Sequence, residues 1–261
     1  MCAQTAIDSS GTPPPPGAPQ RRRNQITPIQ YVGLGALILL FLYQAGILGG
    51  SGGLTGYLQD VGPRLVALFA AITIHEFSHG LIATWFGDGT PRRAGRLTLN
   101  PLKHLDPVGT IMILIRAPIG WGKPMPINPG EMRNPNLGWA LSSLAGPASN
   151  ILAATVITLI AAYIVGPTNP TVRLFVAQLI QINVFLAVFN LLPLPPLDGF
   201  GVLYGLSPRP IKIGLLPFMR YGPLILLLFL FLPVTQGYLD AFLQGGANII
   251  YRFLGVLVGG V

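Results

Sequence analysis

Charge is scarce in these 261 residues: Asp, Glu, Lys and Arg make up 9% of the chain, against roughly 25% in soluble domains. Acidic residues are scarcer than basic ones, eight against 16, for a formal net charge of +8. Cysteine is nearly absent. Cys2 is the only one, which excludes a disulfide framework and a thiolate metal site. It also stands too near the N-terminus, with no apolar run before it, to mark a lipoprotein cleavage site. What fills the chain instead is apolar: 51% hydrophobic residues and a mean hydropathy of +0.60. That balance describes a polytopic membrane protein. The basic excess does not indicate nucleic acid, because no basic stripe is interleaved with aromatic residues. The positive charges sit in loops between apolar segments, as topology determinants do.

Residues 1–29 read as a disordered polar tail, with Pro13 to Pro16 and Arg21 to Arg23,. No small-residue site closes a short apolar region there, so a cleaved signal peptide is not expected. Residues 30–261 read as one membrane-embedded, all-α domain of about six spans. The spans are expected at Gln30 to Leu48, along residues 64–86, and at Leu137 to Val165, Val172 to Leu192, Ile211 to Leu232 and Leu239 to Leu257. Gly146-Pro147 suggests a kink in the third. Arg21 to Arg23, Arg92, Arg93, Arg96, Lys103, Arg116, Lys123, Arg133, Arg209 and Lys212 would all face one side. By the positive-inside rule that side is the cytoplasm, which holds both termini. Between the second and third spans the chain is irregular. Arg96 to Asn100 alternates, Pro124 to Asn128 is extended by its prolines, and Val108 to Ile115 is a short β-branched run,. A small sheet or re-entrant hairpin is expected over 92–136, with a partial span as the alternative.

The second span carries His75-Glu76-Phe77-Ser78-His79. Histidines four apart on a helix share one face, one turn above each other. Both imidazoles can then reach a single Zn²⁺, and the Glu beside the first can act as general base. Two imidazoles and a carboxylate within an apolar span are costly and call for partners. A catalytic zinc takes three protein ligands and keeps one position open. Asp198 is a candidate third ligand, because it follows a proline-broken apolar segment where irregular backbone must line a cavity or be buried. His104 and Asp106, in the basic loop, are the other candidates.

The pairing of His75-Glu76-Phe77-Ser78-His79 with Asn190-Leu-Leu-Pro193-Leu-Pro-Pro-Leu197-Asp198-Gly199 resembles the site-2 protease family of intramembrane zinc proteases. Ala145-Gly146-Pro147-Ala-Ser-Asn150 also resembles that family, and the likeness covers about residues 60–205. The resemblance implies that His75, His79 and Asp198 bind one zinc ion and that Glu76 is the catalytic base. It implies further that Asn190 holds the substrate backbone, that Pro193 shapes the broken segment, and that Asn150 supports the site from behind. It makes a transmembrane protein or peptide the substrate, in a bacterial-type cell membrane, with no nucleic acid involved. The length leaves no room for a PDZ or nucleotide-sensing domain, so the minimal type is expected, with selection by the core, by 92–136 or by a regulatory membrane protein. Two rival readings stand beside it. A proton or metal transporter would show inverted repeats, and no two halves match. A non-proteolytic metal-binding scaffold would not need an intact Glu76.

Overall fold

The computed structural model describes residues 53–114, 121–165 and 170–259, with isolated positions between 35 and 43. The expected tail 1–29 and nearly all of the expected first span lie outside the described residues. The helices are α1 (Gly53–Trp85), α2 (Thr90–Arg93), α3 (Pro107–Leu114), α4 (Pro135–Ile160), α5 (Pro170–Asn190), α6 (Asp198–Leu206), α7 (Arg209–Arg220), α8 (Gly222–Phe231) and α9 (Pro233–Leu257). A π-helical turn at Ala161–Val165 extends α4.

Among the described residues, three helices are long and apolar enough to cross a membrane: Thr55–Trp85, Pro135–Tyr163 and Pro170–Asn190. They correspond to the second, third and fourth expected spans and suggest membrane association. Several of their hydroxyls are satisfied within the same helix, as apolar surroundings favour. Thr73 Oγ1 donates to Phe69 O at 2.6 Å, Ser78 Oγ to Ile74 O at 2.8 Å, and Thr84 Oγ1 to Gly80 O at 2.7 Å. The helix α4 lies at the centre, packed on α1, α5 and α6. Ala154, Val184, Val188, Ile250 and Leu254 form the main apolar cluster, where α4, α5 and α9 meet.

Two expected spans come out differently. The fifth is not one helix: α7 and α8 meet at a bend of 73°. Gly222 and Pro223 open α8 at that point, and a proline in the first helical turn starts a helix rather than continuing one. Only if the pair counts as one span does the number reach four. The sixth forms α9, which is 25 residues long. It carries Gln236, Asp240, Gln244, Asn248 and Arg252, and does not pass as apolar enough to cross.

The connection 92–136 also departs from expectation. No strand occurs among the described residues; one antiparallel bridge, Leu105 with Gly122, is all that pairs there. The β-branched run is the eight-residue helix α3, about 12 Å long and too short to span. Pro124 and Pro126 lack the N–H that a ladder needs. Pairing therefore stops after Lys123 N donates to His104 O at 2.8 Å. The segment after the bridge runs along α1: a Cβ at Gly122 would meet Ile72, and one at Gly80 would meet Met125. Ile72, Glu76 and Gly80 share one helical stripe, so 122–125 covers the face of α1 that includes Glu76.

The far end of this segment is clasped to the exit from α1. Asp88 is fully buried; its Oδ1 accepts from Thr90 N at 2.8 Å and its Oδ2 from Asn128 N at 2.7 Å. Glu131 Oε1 accepts from Arg93 Nη2 at 2.5 Å and Oε2 from Gly89 N at 3.2 Å. The guanidinium beside it holds the Glu131 carboxyl below the usual range,. Removing the buried Asp88 carboxylate strands two backbone donors. Asp88→Ala is expected to destabilise the protein by about 2–4 kcal/mol, read as a lower denaturation midpoint in detergent. An unchanged midpoint would show that the clasp contributes nothing.

Candidate metal centre

Three side chains from two helices converge on one point. His75 and His79 come from the middle of α1 and Asp198 from the first turn of α6, where the helix dipole favours an ionised carboxylate. The position of α6 depends on contact too close for side chains. A Cβ at Gly199 would stand 2.2 Å from the Leu191 carbonyl oxygen, so only glycine can follow Asp198 here. Farther along α6, Gly201 and Gly205 lie against Ser143 and Ala140 of α4.

The imidazole rings are 4.5 Å apart and nearly perpendicular, at 85°. Asp198 Oδ2 lies 3.0 Å from His75 Nε2 and 3.3 Å from His79 Nε2. One atom from each residue falls within 4.8 Å of the other two. Both histidines are buried, at 6% and 5% exposure. Their other ring nitrogens are engaged: His75 Nδ1 lies 2.6 Å from Asn150 Oδ1, and His79 Nδ1 lies 2.6 Å from the Ser142 carbonyl oxygen. Ser142 Oγ in turn donates to His79 O at 3.1 Å.

These contacts decide what the centre can hold. A carbonyl and an amide oxygen only accept, so each Nδ1 carries a ring hydrogen, and in the neutral imidazole that a metal requires Nε2 is bare. Each Nε2 then presents a lone pair toward a carboxylate oxygen. Despite the short distances, Asp198 Oδ2 is buried with no hydrogen bond made to it. Three converging lone pairs repel one another unless a cation lies among them. Two imidazole nitrogens, each backed at its other ring nitrogen, and one carboxylate oxygen suit Zn²⁺,. The residues present fit the metal.

The other expected site residues fall as follows. Glu76 is half-buried on α1, and its Oε2 is buried without a hydrogen-bond partner. Asn150 is fully buried behind His75, and its Nδ2 also donates to Ala71 O at 3.2 Å. Asn190, the last residue of α5, donates its Nδ2 to Leu186 O at 2.9 Å, leaving its side-chain oxygen uncommitted by that bond. Pro193 is exposed in the turn between α5 and α6. His104 and Asp106 do not join the cluster. The His104 ring is wholly buried with Nε2 2.8 Å from Thr98 O, and Asp106 Oδ1 accepts from Gly109 N at 2.9 Å. Sequence reasoning missed Ser142, whose contribution is a backbone carbonyl and leaves no side-chain signal. It also missed Asn183, a polar residue within an apolar helix and so detectable in principle.

No family model matches the chain, and no solved structure does. Curated relatives do. A Bacillus subtilis protein named as a candidate zinc metalloprotease, YwhC, is 36% identical over 200 residues, which is 74% of this chain and 91% of the relative. The similarly named Rip2 of Mycolicibacterium smegmatis is 31% identical over 176 residues, 64% of this chain and 65% of that protein. Rip2 of Mycobacterium tuberculosis H37Rv is 29% identical over 174 residues, 64% of this chain and 66% of its own. With paired motifs, a buried three-donor cluster and a relative covered almost end to end, the chain belongs to the site-2 protease family of zinc metalloproteases.

Proposed function

We propose that this chain is an intramembrane endopeptidase that hydrolyses peptide bonds in or near membrane-spanning segments of other proteins. The observation that carries the reading is the buried His75, His79 and Asp198 donor set, mounted on an apolar helix long enough to span, with the unpartnered Glu76 carboxylate beside it. Zinc held by His75, His79 and Asp198 supplies Lewis acidity, which lowers the pKa of water and polarises a carbonyl. Glu76 takes the proton of the attacking water and later returns it to the leaving amine. The buried Glu76 Oε2, with no hydrogen bond to give up, is free for both transfers.

A substrate helix hides its carbonyls in its own hydrogen bonds, so it must unwind before it is cut. The extended stretch 122–126 beside the Glu76 face, which lacks N–H groups at Pro124 and Pro126, offers an unwound segment backbone carbonyls rather than a full ladder. Asn190, at the end of α5, holds that segment through its side-chain oxygen, and Pro193 keeps the following turn open. The protein works as a multi-pass protein of the cell membrane, with both termini cytoplasmic. Residues 30–261 form one domain with its core at about 60–205. Its partners are transmembrane protein or peptide substrates and lipid.

The test is zinc content of detergent-purified protein. About one zinc per chain is expected in wild type, with loss in His79→Ala and in Asp198→Ala. Candidate membrane helices are then presented to the loaded protein and scanned for cut products. Wild type that takes up no zinc overturns the proposal.

A further inference from the structure

We infer that Asn183 is a positioning residue for the metal centre, acting through Asn150 to hold His75 in its metal-binding tautomer. The inference rests on the metal reading of the site and extends it to a residue that touches neither metal nor substrate.

The argument is one of donors and acceptors in a dry interior. Asn183 is 2% exposed and Asn150 wholly buried, so each amide must find its partners within the protein. Asn183 Nδ2 donates to Leu179 O at 2.8 Å. A backbone carbonyl cannot donate, so this contact fixes which end of the Asn183 amide is nitrogen. Its Oδ1 is thereby turned to Asn150, whose Nδ2 donates to it at 2.8 Å. The same Nδ2 gives its second hydrogen to Ala71 O at 3.2 Å. With both hydrogens spent, Asn150 can offer His75 only its oxygen, 2.6 Å from Nδ1. His75 must therefore carry a hydrogen on Nδ1, and as the neutral ring it leaves Nε2 bare, facing Asp198 Oδ2.

Without the Asn183 oxygen, the Asn150 nitrogen keeps a single weak bond to Ala71 O. The amide can then rotate to offer its N–H to His75, which moves the ring hydrogen to Nε2 and blocks the metal position. Outer partners of metal-bound histidines typically change affinity by 10–100-fold. Asn183 stands one bond farther out, so about tenfold is expected. By contrast, His79 is oriented by a backbone carbonyl, which has no hydrogen to offer and cannot switch. The polar relay thus governs His75 alone.

The experiment compares wild type, Asn183→Leu and Asn183→Asp in detergent. Zinc Kd is measured by chelator competition, and the His75 tautomer by ¹⁵N chemical shifts of metal-free protein labelled at histidine. Asn183→Leu should bind zinc about tenfold more weakly and show an Nε2–H signal for His75. Asn183→Asp keeps an acceptor toward Asn150 and should bind within about threefold of wild type, a rescue that mere packing would not produce. Zinc affinity of Asn183→Leu equal to wild type, with an unchanged tautomer, overturns the relay while the metal site stands. If Asn183→Leu does not fold, wild type decides: an Nε2–H tautomer at His75 in the metal-free protein overturns the inference, and an Nδ1–H tautomer supports it. Wild type that binds no zinc overturns the metal reading itself, and the relay's role with it.

Discussion

Glu76→Gln is expected to cut peptide-bond cleavage by roughly 10³-fold and to leave zinc content as in wild type. The substitution keeps shape and removes only the capacity to hold a proton. Glu76 is not among the converging donors, which come from His75, His79 and Asp198, so the amide leaves the metal position untouched. Its Oε2 has no partner in the fold, so little structure depends on its charge. The measurement is turnover of a membrane-helix substrate beside metal analysis of the same preparation. Cleavage within about tenfold of wild type would sink the assignment of Glu76 as base, because an acid–base group contributes at least that much. Loss of zinc together with activity would instead move Glu76 into the ligand set.

A smaller change should do comparable damage from outside the donor set. Gly146→Ala places a methyl 2.4 Å from His79 Nε2, 2.5 Å from His79 Cε1 and 2.7 Å from His75 Cε1. No carbon approaches a ring so closely, so the rings must give way. They cannot do so freely, because Asn150 and the Ser142 carbonyl hold each from behind at 2.6 Å. A ring that turns aside loses that bond as well as its aim. Zinc affinity is expected to fall by about 100-fold or more, the upper range for disturbed outer contacts, with a stability loss of about 1–3 kcal/mol from overpacking. Gly245→Ala is the control: nothing lies within 4 Å of its added carbon. Zinc binding by Gly146→Ala equal to that of the control would show that the rings do not crowd this glycine.

The chemistry of the centre was more legible in the sequence than its surroundings, for a physical reason. Two histidines at helical spacing must share a face, so His75 and His79 converge in any helix that contains them. Asp198 was legible through its proline-broken setting and its motif, while His104 and Asp106 remained rivals until the fold buried one ring and tied the other carboxylate to a turn. The spans matching α1, α4 and α5 were visible as long apolar runs. The bend at Tyr221 was not, since hydropathy averages across a break in direction. Nor was α3, because a short apolar run suits a strand or a helix equally well. What no pattern carries is backbone: the Ser142 carbonyl that orients His79 is available to any residue at that position.

The three donors are close in space and far apart in the chain, with α4 and α5 threaded between the histidines and Asp198. During synthesis, α1 therefore emerges with both imidazoles and no carboxylate to complete them. The centre closes only when α6 packs against α4, after the last of the three candidate spans has been made. A chain interrupted before Gly199 lacks the close-packed turn that sets Asp198. The donor set is thus a readout of tertiary assembly: it exists only where α1, α4 and α6 have all been made and packed together.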